Sequence, residues 1–371
     1  MIKYISMKRV LLIADSNMSL SGVPVVFMSI VRNLCKEYTF DIIVLKDNDM
    51  YFEKEFLSYG GKVFRFNCPK PDTFLQKFFW LTTKYYKSVK LFLKNNLNLK
   101  DYNAIHSFHE GFSYPFIKEA KRAGAKRRIV HICSAKSAYK QKITLSQILF
   151  NWYQRKAMKH ATNIAFVSQK SLELNNYKNK GCVVHNNYDE KKFGEITNCI
   201  HDNLVLTQIA TFSFRKNQLF SLEVVKKIKE TIPNVLLNIV GSEIEDGYLQ
   251  KMNDFISNNQ LENNVKFLGN KVDRIELNKN TSYIIYPSTM ESFGLVLIES
   301  QACGIHCFAN KDIPNDADMG NTDFLPLDSS LWSDKIIKYF TEKGNQRKKP
   351  INKDKFSTNQ FIDTLNHLYS D

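Results

Sequence analysis

YPSTMESFGLVLIESQACGI, residues 286–305, reads as the end of a strand, a polar loop and the opening of a helix. The strand ends at Pro287, the loop carries Glu291, and Gly294 opens a helix whose first turns, LVLI, are apolar on every side. A helix apolar all round is buried. Its first free N–H groups, near Ser292, Phe293 and Gly294, therefore point at the C-terminal edge of a sheet, where α/β folds bind ligands and a helix N-terminus holds a diphosphate. Glu299 lies eight residues after Glu291 inside the apolar run, where a carboxylate is costly unless donors reach it. Two readings stand for it: sugar hydroxyls supply those donors, or Glu299 occupies the one wet face of the helix.

Working outward, short apolar runs alternate with longer amphipathic ones, the pattern of βα units and a parallel sheet. Strand candidates are RVLLIAD (9–15), FDIIVLK (40–46), KVFRF (62–66), NAIHSF (103–108), RIVHIC (128–133) and NIAFVS (163–168), with a helix over 22–38. After CVVHNNYDEKKF (182–193) a strand gives way to a polar stretch. The pattern restarts with LVLTQIATF (204–212), VLLNIVG (235–241), VKFLG (265–269), YIIYPS (283–288) and HCFAN (306–310). Two βαβ assemblies in series fit better than one large sheet. The last helix, 356–369, has apolar residues at helical spacing and needs a surface to pack on.

The chain has 371 residues, 43% of them apolar and 13% aromatic, which excludes disorder and suits two domains with full cores. Its seven cysteines are scattered without a C-x-x-C pair and read as reduced thiols; Cys303 and Cys307 sit in an apolar helix-to-strand passage, which argues against zinc. No run approaches the roughly 18 apolar residues of a spanning helix. The start, MIKYISMKRVLLIAD, lacks a cleavage site after its apolar run, so no signal peptide is expected and the protein is placed inside the cell.

The formal charge is +15, and it is uneven. Residues 1–190 hold 31 basic and 14 acidic side chains, a balance of +17, and residues 191–371 hold 21 and 23, a balance of −2. A solubilising surface accounts for a charge excess alone. Two clusters argue for more. Residues 77–100, KFFWLTTKYYKSVKLFLKNNLNLK, mix lysine with aromatic and aliphatic residues as a helix on an anionic bilayer does, and KRAGAKRR (121–128) packs five cations into eight residues. Nucleic acid would also suit such charge, but no RNP, zinc-finger or helix-turn-helix signature accompanies it.

Other candidates lie at βα turns. ATFSFRKNQLFSLEVV (210–225) places Arg215 and Lys216 in a loop before an amphipathic helix, where cations suit phosphate or a solvated helix start. The first βα turn, ADSNMSLSGVPVVF (14–27), lacks the G-x-G-x-x-G of dinucleotide folds, which counts against a dehydrogenase. His106, His109 and His131 end first-half strands without the spacing of a metal site. DND (47–49) and DAD (316–318) are read as solvated turns.

These residues resemble family 4 of the retaining glycosyltransferases, most closely the branch of bacterial capsule and exopolysaccharide assembly, over nearly the whole chain. The carrying element is the E-x7-E signature, here ESFGLVLIE from Glu291 to Glu299. The resemblance implies an α/β GT-B fold: two Rossmann-like domains facing each other across a cleft, an acceptor domain over 1–190 and a donor domain over 191–349, with a C-terminal helix within about 350–371 crossing back to the first. It implies that Glu291 lies near the donor sugar and diphosphate, that Glu299 binds the ribose, and that the Ser292–Gly294 backbone cradles phosphate. FSFRKNQ resembles the branch's FSxxKNH segment, so Lys216 would meet the diphosphate. The family's usual Gly-Arg is Ala210-Thr211 here, leaving Arg215 as the substitute cation. LLNIVGSE and VKFLGNKVD place Gly241, Gly269 and Asn270 at the donor site. Gly22 matches the loop glycine after the first strand, with Ser21 where a second glycine is usual, and RRIVHICS puts His131 at an active-site histidine, in HICS where the branch typically reads HSHN.

The reaction that the resemblance implies is transfer of a sugar from a nucleotide diphosphate, a UDP-sugar first, to a saccharide acceptor, polyprenyl-diphosphate-linked. The anomeric configuration is retained, with no metal or other cofactor, and the departing phosphate takes the acceptor's proton. His131 and Glu291 would be the catalytic contacts. A cytoplasmic protein peripheral to the anionic inner membrane surface is expected, with no nucleic-acid partner. The alternatives are a nucleotide-sugar 2-epimerase or hydrolase of the same fold, and a non-catalytic subunit of a glycosyltransferase pair.

Overall fold

The computed structural model describes residues 7–14, 18, 22–45, 50–68, 79–134, 145–175, 177, 179–196, 198–200 and 202–370. The chain falls into two compact units, Met1–Asn186 with Thr358–Asp371, and Asn187–Ser357.

In the first unit seven parallel strands run in the order β3-β2-β1-β4-β5-β6-β7. They are β1 (Lys8–Ile13), β2 (Tyr38–Val44), β3 (Val63–Arg65), β4 (Ala104–Ser107), β5 (Arg127–Ile132), β6 (Asn163–Phe166) and β7 (Gly181–Val183). Strands covered by helices on both faces read as unbroken apolar runs, and Val10–Ile13 are fully buried. The expected helix over 22–38 spans Gly22–Leu34, because Tyr38 already begins β2. The C-terminal helix Thr358–Tyr369 buries Phe361, Leu365, Leu368 and Tyr369, one face at helical spacing, and the ring of Tyr369 meets those of Tyr38 (5.5 Å) and Phe40 (6.5 Å).

The second unit repeats the plan with β8 (Val205–Ile209), β9 (Leu236–Val240), β10 (Val265–Gly269), β11 (Tyr283–Tyr286), β12 (His306–Asn310) and β13 (Thr322–Leu325), all parallel in the order β10-β9-β8-β11-β12-β13. Both orders reverse direction after their unit's first strand, as in doubly wound folds; the switch points lie between β1 and β4 and between β8 and β11. Two Rossmann-like α/β sheets in one chain are thus the observed architecture.

Three details differ from the expectations. The 316–318 triplet is no solvated turn: Asp316 is 8% exposed and Ala317 is buried, because Gln301 Nε2 donates to Ala317 O (2.9 Å) and Gln301 Oε1 accepts from Met319 N (2.8 Å). The 47–49 triplet lies outside the described residues. In the basic segment 79–96, Trp80, Leu81, Tyr85, Val89 and Leu93 enter the core, so the outward face carries Lys84, Lys87, Lys90 and Lys94 with only Phe79 and Leu91 as large exposed apolar groups. Of the cations in 121–128, Arg122 pairs with Glu119, and Arg128 donates to His160 O (2.9 Å).

Candidate active site

The second unit's loops after β8 and β11 flank its switch point, and backbone bonds stitch them together. Thr289 donates from its N–H (2.9 Å) and hydroxyl (3.2 Å) to Arg215 O, and Arg215 Nη1 donates to Met290 O (3.3 Å). Gln208 Nε2 donates to Lys216 O (2.7 Å), with Ser221 Oγ in turn donating to Gln208 Oε1 (2.7 Å). Asn217 then turns the chain into the helix Gln218–Thr231 at φ 57°, a left-handed conformation that asparagine tolerates. So held, Lys216 Nζ forms an ion pair with Glu291 Oε1, the two side chains 14% and 9% exposed. The ammonium also lies 5.8 Å from the Tyr286 ring centroid.

Next to this pair, Gly294 at φ 124° precedes the helix Leu295–Ala302, whose Leu297 and Ile298 are buried while Leu295 and Val296 are half-buried. Glu299 is therefore neither on a wet face nor without a donor: its Oε2 pairs with Arg274 Nη2 at 2.8 Å, the side chains 16% and 19% exposed. Ser292 is half-buried and Phe293 is buried against Phe356. Gly241 at φ 151° has no room for a side chain, since a Cβ would meet Ala210 O at 2.0 Å; its N–H donates to Gly269 O at 2.8 Å. Gly269, the last residue of β10, and Asn270 just after it are exposed.

In the first unit the histidines divide. His106 on β4 and His131 on β5 meet, His106 Nε2 lying 3.1 Å from His131 Nδ1, and His106 Nδ1 lies 2.7 Å from the hydroxyl of Tyr369. Both histidines are fully buried, and burial pushes the His131 imidazole down to about 3. His109 stands apart, stacked on Phe112 at 4.9 Å. Gly22 is the exposed first residue of its helix, and Ser21 lies outside the described residues.

Arg274 and Tyr369 were not anticipated. Nothing near either in sequence marks it; the partners lie 25 and 263 residues away. Nor were Ser213 and Ser288, whose buried hydroxyls have no hydrogen-bond partner among the described residues and which flank the Lys216 and Glu291 loops.

Two doubly wound parallel sheets in one chain are the architecture called GT-B, here with charged and polar groups gathered at the second unit's switch point. Residues 189–353 match the family described as Glycosyl transferases group 1. The EpsF protein of Bacillus subtilis (strain 168), named as a glycosyltransferase, is 25% identical over 90% of this chain and 88% of its own. The capsular polysaccharide biosynthesis glycosyltransferase CapH of Staphylococcus aureus is 24% identical over 58% of this chain and 60% of its own. Among solved structures, HepE of Anabaena in complex with UDP and glucose has a TM-score of 0.74 at 17% identity, covering 97% of this chain and 99% of that one. S. aureus TarM, in a complex with UDP, gives 0.74 at 11% identity over 98% and 100%.

Proposed function

We propose that the chain is a retaining family 4 glycosyltransferase that moves a hexosyl or N-acetylhexosaminyl group from a nucleotide diphosphate, a UDP-sugar in the first instance, to a lipid-linked glycan of bacterial capsule or exopolysaccharide assembly. The observation that carries this reading is the Lys216–Glu291 ion pair beside the helix N-terminus at Gly294, at the switch point of a sheet in the matched unit. Retaining transfer needs a site that stabilises charge developing on the departing diphosphate. Lys216, the Arg215 guanidinium and the N–H groups at 292–294 are the available donors. Arrival of a diphosphate draws the Lys216 ammonium from Glu291, and the released carboxylate accepts hydrogen bonds from sugar hydroxyls. Glu299, held by Arg274, accepts from the ribose. His131 supplies the first unit's contact to sugar or acceptor, and no step requires a metal. The UDP and glucose bound in HepE support the choice of donor class.

A non-catalytic subunit is the second reading, because Ala210-Thr211 supplies no cation and Arg215 is tied by Nη1 to Met290 O. Thermal stabilisation across UDP-, GDP- and TDP-sugars, followed by donor hydrolysis, separates the two: a donor at a hundred times its Kd adds about 2.7 kcal/mol. Protein that neither binds nor turns over any of them is no glycosyltransferase.

Docking on the anionic inner leaflet is part of the same proposal. It is supported by the +17 of residues 1–190 and by the lysine face with Phe79 and Leu91. No helix of the described residues is long and apolar enough to cross a membrane. Liposome binding indifferent to anionic lipid overturns the docking alone.

A further inference from the structure

Tyr369, His106 and His131 form a line of three buried polar groups, none more than 1% exposed, running from the C-terminal helix across β4 to β5. The two imidazole planes are 4° apart with 3.1 Å between the facing nitrogens, within hydrogen-bond reach. Among the described residues the Tyr369 hydroxyl has one partner, His106 Nδ1, and His131 Nε2 has none. Burial disfavours the cation on both rings, so each carries a single N–H.

The direction of the line is set by the phenol. A buried O–H without an acceptor costs about 1–3 kcal/mol, and the acceptor within reach is His106 Nδ1. His106 then holds its proton on Nε2 and donates it to His131 Nδ1. That leaves the proton of His131 on Nε2. Either direction leaves one hydrogen unpartnered among the described residues, the His131 Nε2–H in this one and the phenol proton in the opposite one. The opposite one, with Nδ1–H on both histidines, also strands the His131 Nε2 lone pair and so has the greater deficit.

We propose that Tyr369 and His106 are positioning residues that lock His131 in the Nε2–H tautomer, so that it presents a hydrogen-bond donor to an oxygen of the sugar or acceptor. A donor of this kind takes no proton from the attacking hydroxyl, and in the transfer that proton leaves with the phosphate. The identity of the oxygen rests on the glycosyl-transfer reading; the tautomer does not.

Long-range ¹H–¹⁵N correlation spectra of the full chain, labelled in the histidine rings and assigned with His131→Gln and His106→Gln, read the tautomer directly. The expected result near pH 7 is a single Nε2–H species at His131, replaced by a tautomer mixture in Tyr369→Phe. An Nδ1–H species in the wild type overturns the proposal. So does a population unmoved in Tyr369→Phe, since packing alone would lower the unfolding temperature without shifting a tautomer. Should Tyr369→Phe not fold, the wild-type spectrum decides by itself. Donor turnover is measured separately: its absence beside an intact Nε2–H signal refutes glycosyl transfer and upholds the line, whereas turnover beside an Nδ1–H signal overturns the line alone.

Discussion

Removing one partner of the Lys216–Glu291 pair, and then both, separates what the pair does for the fold from what it does for chemistry. In Lys216→Ala the Glu291 carboxylate, only 9% exposed, loses its ion-pair cation. Breaking a buried pair from one side costs about 3–5 kcal/mol. Both side chains keep some contact with water, so about 3 kcal/mol is the expected figure. A unit of this size loses about 2–4 °C per kcal/mol, which gives a fall of about 6–12 °C in the second unit's midpoint. Lys216→Ala/Glu291→Ala leaves neither charge buried alone, and a coupling of about 1–3 kcal/mol brings the midpoint part of the way back. Transfer does not return with it, since losing one donor to the developing charge costs about 10²–10³ in rate. Calorimetry and donor hydrolysis on the same preparations test both halves. A double variant destabilised by the sum of the single ones would refute the pairing, and turnover surviving in Lys216→Ala would remove Lys216 from the chemistry.

Three further outcomes are expected. Glu299→Ala weakens UDP binding by about an order of magnitude, the loss of a charged hydrogen bond to the ribose, with turnover at saturation less affected; unchanged affinity in titration calorimetry takes Glu299 out of the site. Gly241→Ala destabilises the second unit by about 2 kcal/mol or more, because its Cβ would press on Ala210 O at 2.0 Å, and a midpoint within a degree of wild type would contradict that close approach. The unfolded chain, with histidine near 6.5, binds more protons than the folded one, where burial holds His131 at about 3 and His106 well below its ordinary value. This stabilisation is complete above about pH 6.5 and is lost as pH falls towards about 3. Going from pH 7 to pH 5 costs about 2 kcal/mol through His131 alone, a dependence that His131→Gln should reduce in calorimetric unfolding; equal slopes would count against it.

The strands were legible because each buried strand is a short apolar run, and the boundaries moved by only a few residues. β13, with the sequence TDFL, escaped because two of its four residues are polar and it closes an edge of the sheet. The strand orders, and with them the switch points, depend on pairings between distant segments that no local pattern encodes. Lys216 and Glu291 could be singled out one at a time, each at a βα turn. Their pairing across 75 residues could not, nor could the capture of Glu299 by Arg274. The stretch 77–100 reads as a helix on an anionic bilayer, whereas within 79–96 the structure sorts it: Trp80 and Tyr85 inward, the lysines and Phe79 outward. Of three strand-end histidines, the structure joins two, and the third turns to Phe112.

Residues 187–357 are synthesised after β1–β7 and before the helix that completes their sheet. The first unit is therefore a discontinuous folding unit on the ribosome. Until Thr358–Tyr369 emerges, its strands lack the apolar cover of Phe361, Leu365 and Leu368, and His106 lacks its phenol. The second unit, continuous in the chain, can reach its native state first. A nascent protein of this kind passes through a stage in which its second unit is mature and its histidine edge is not, so the first unit is complete only once the helix has docked.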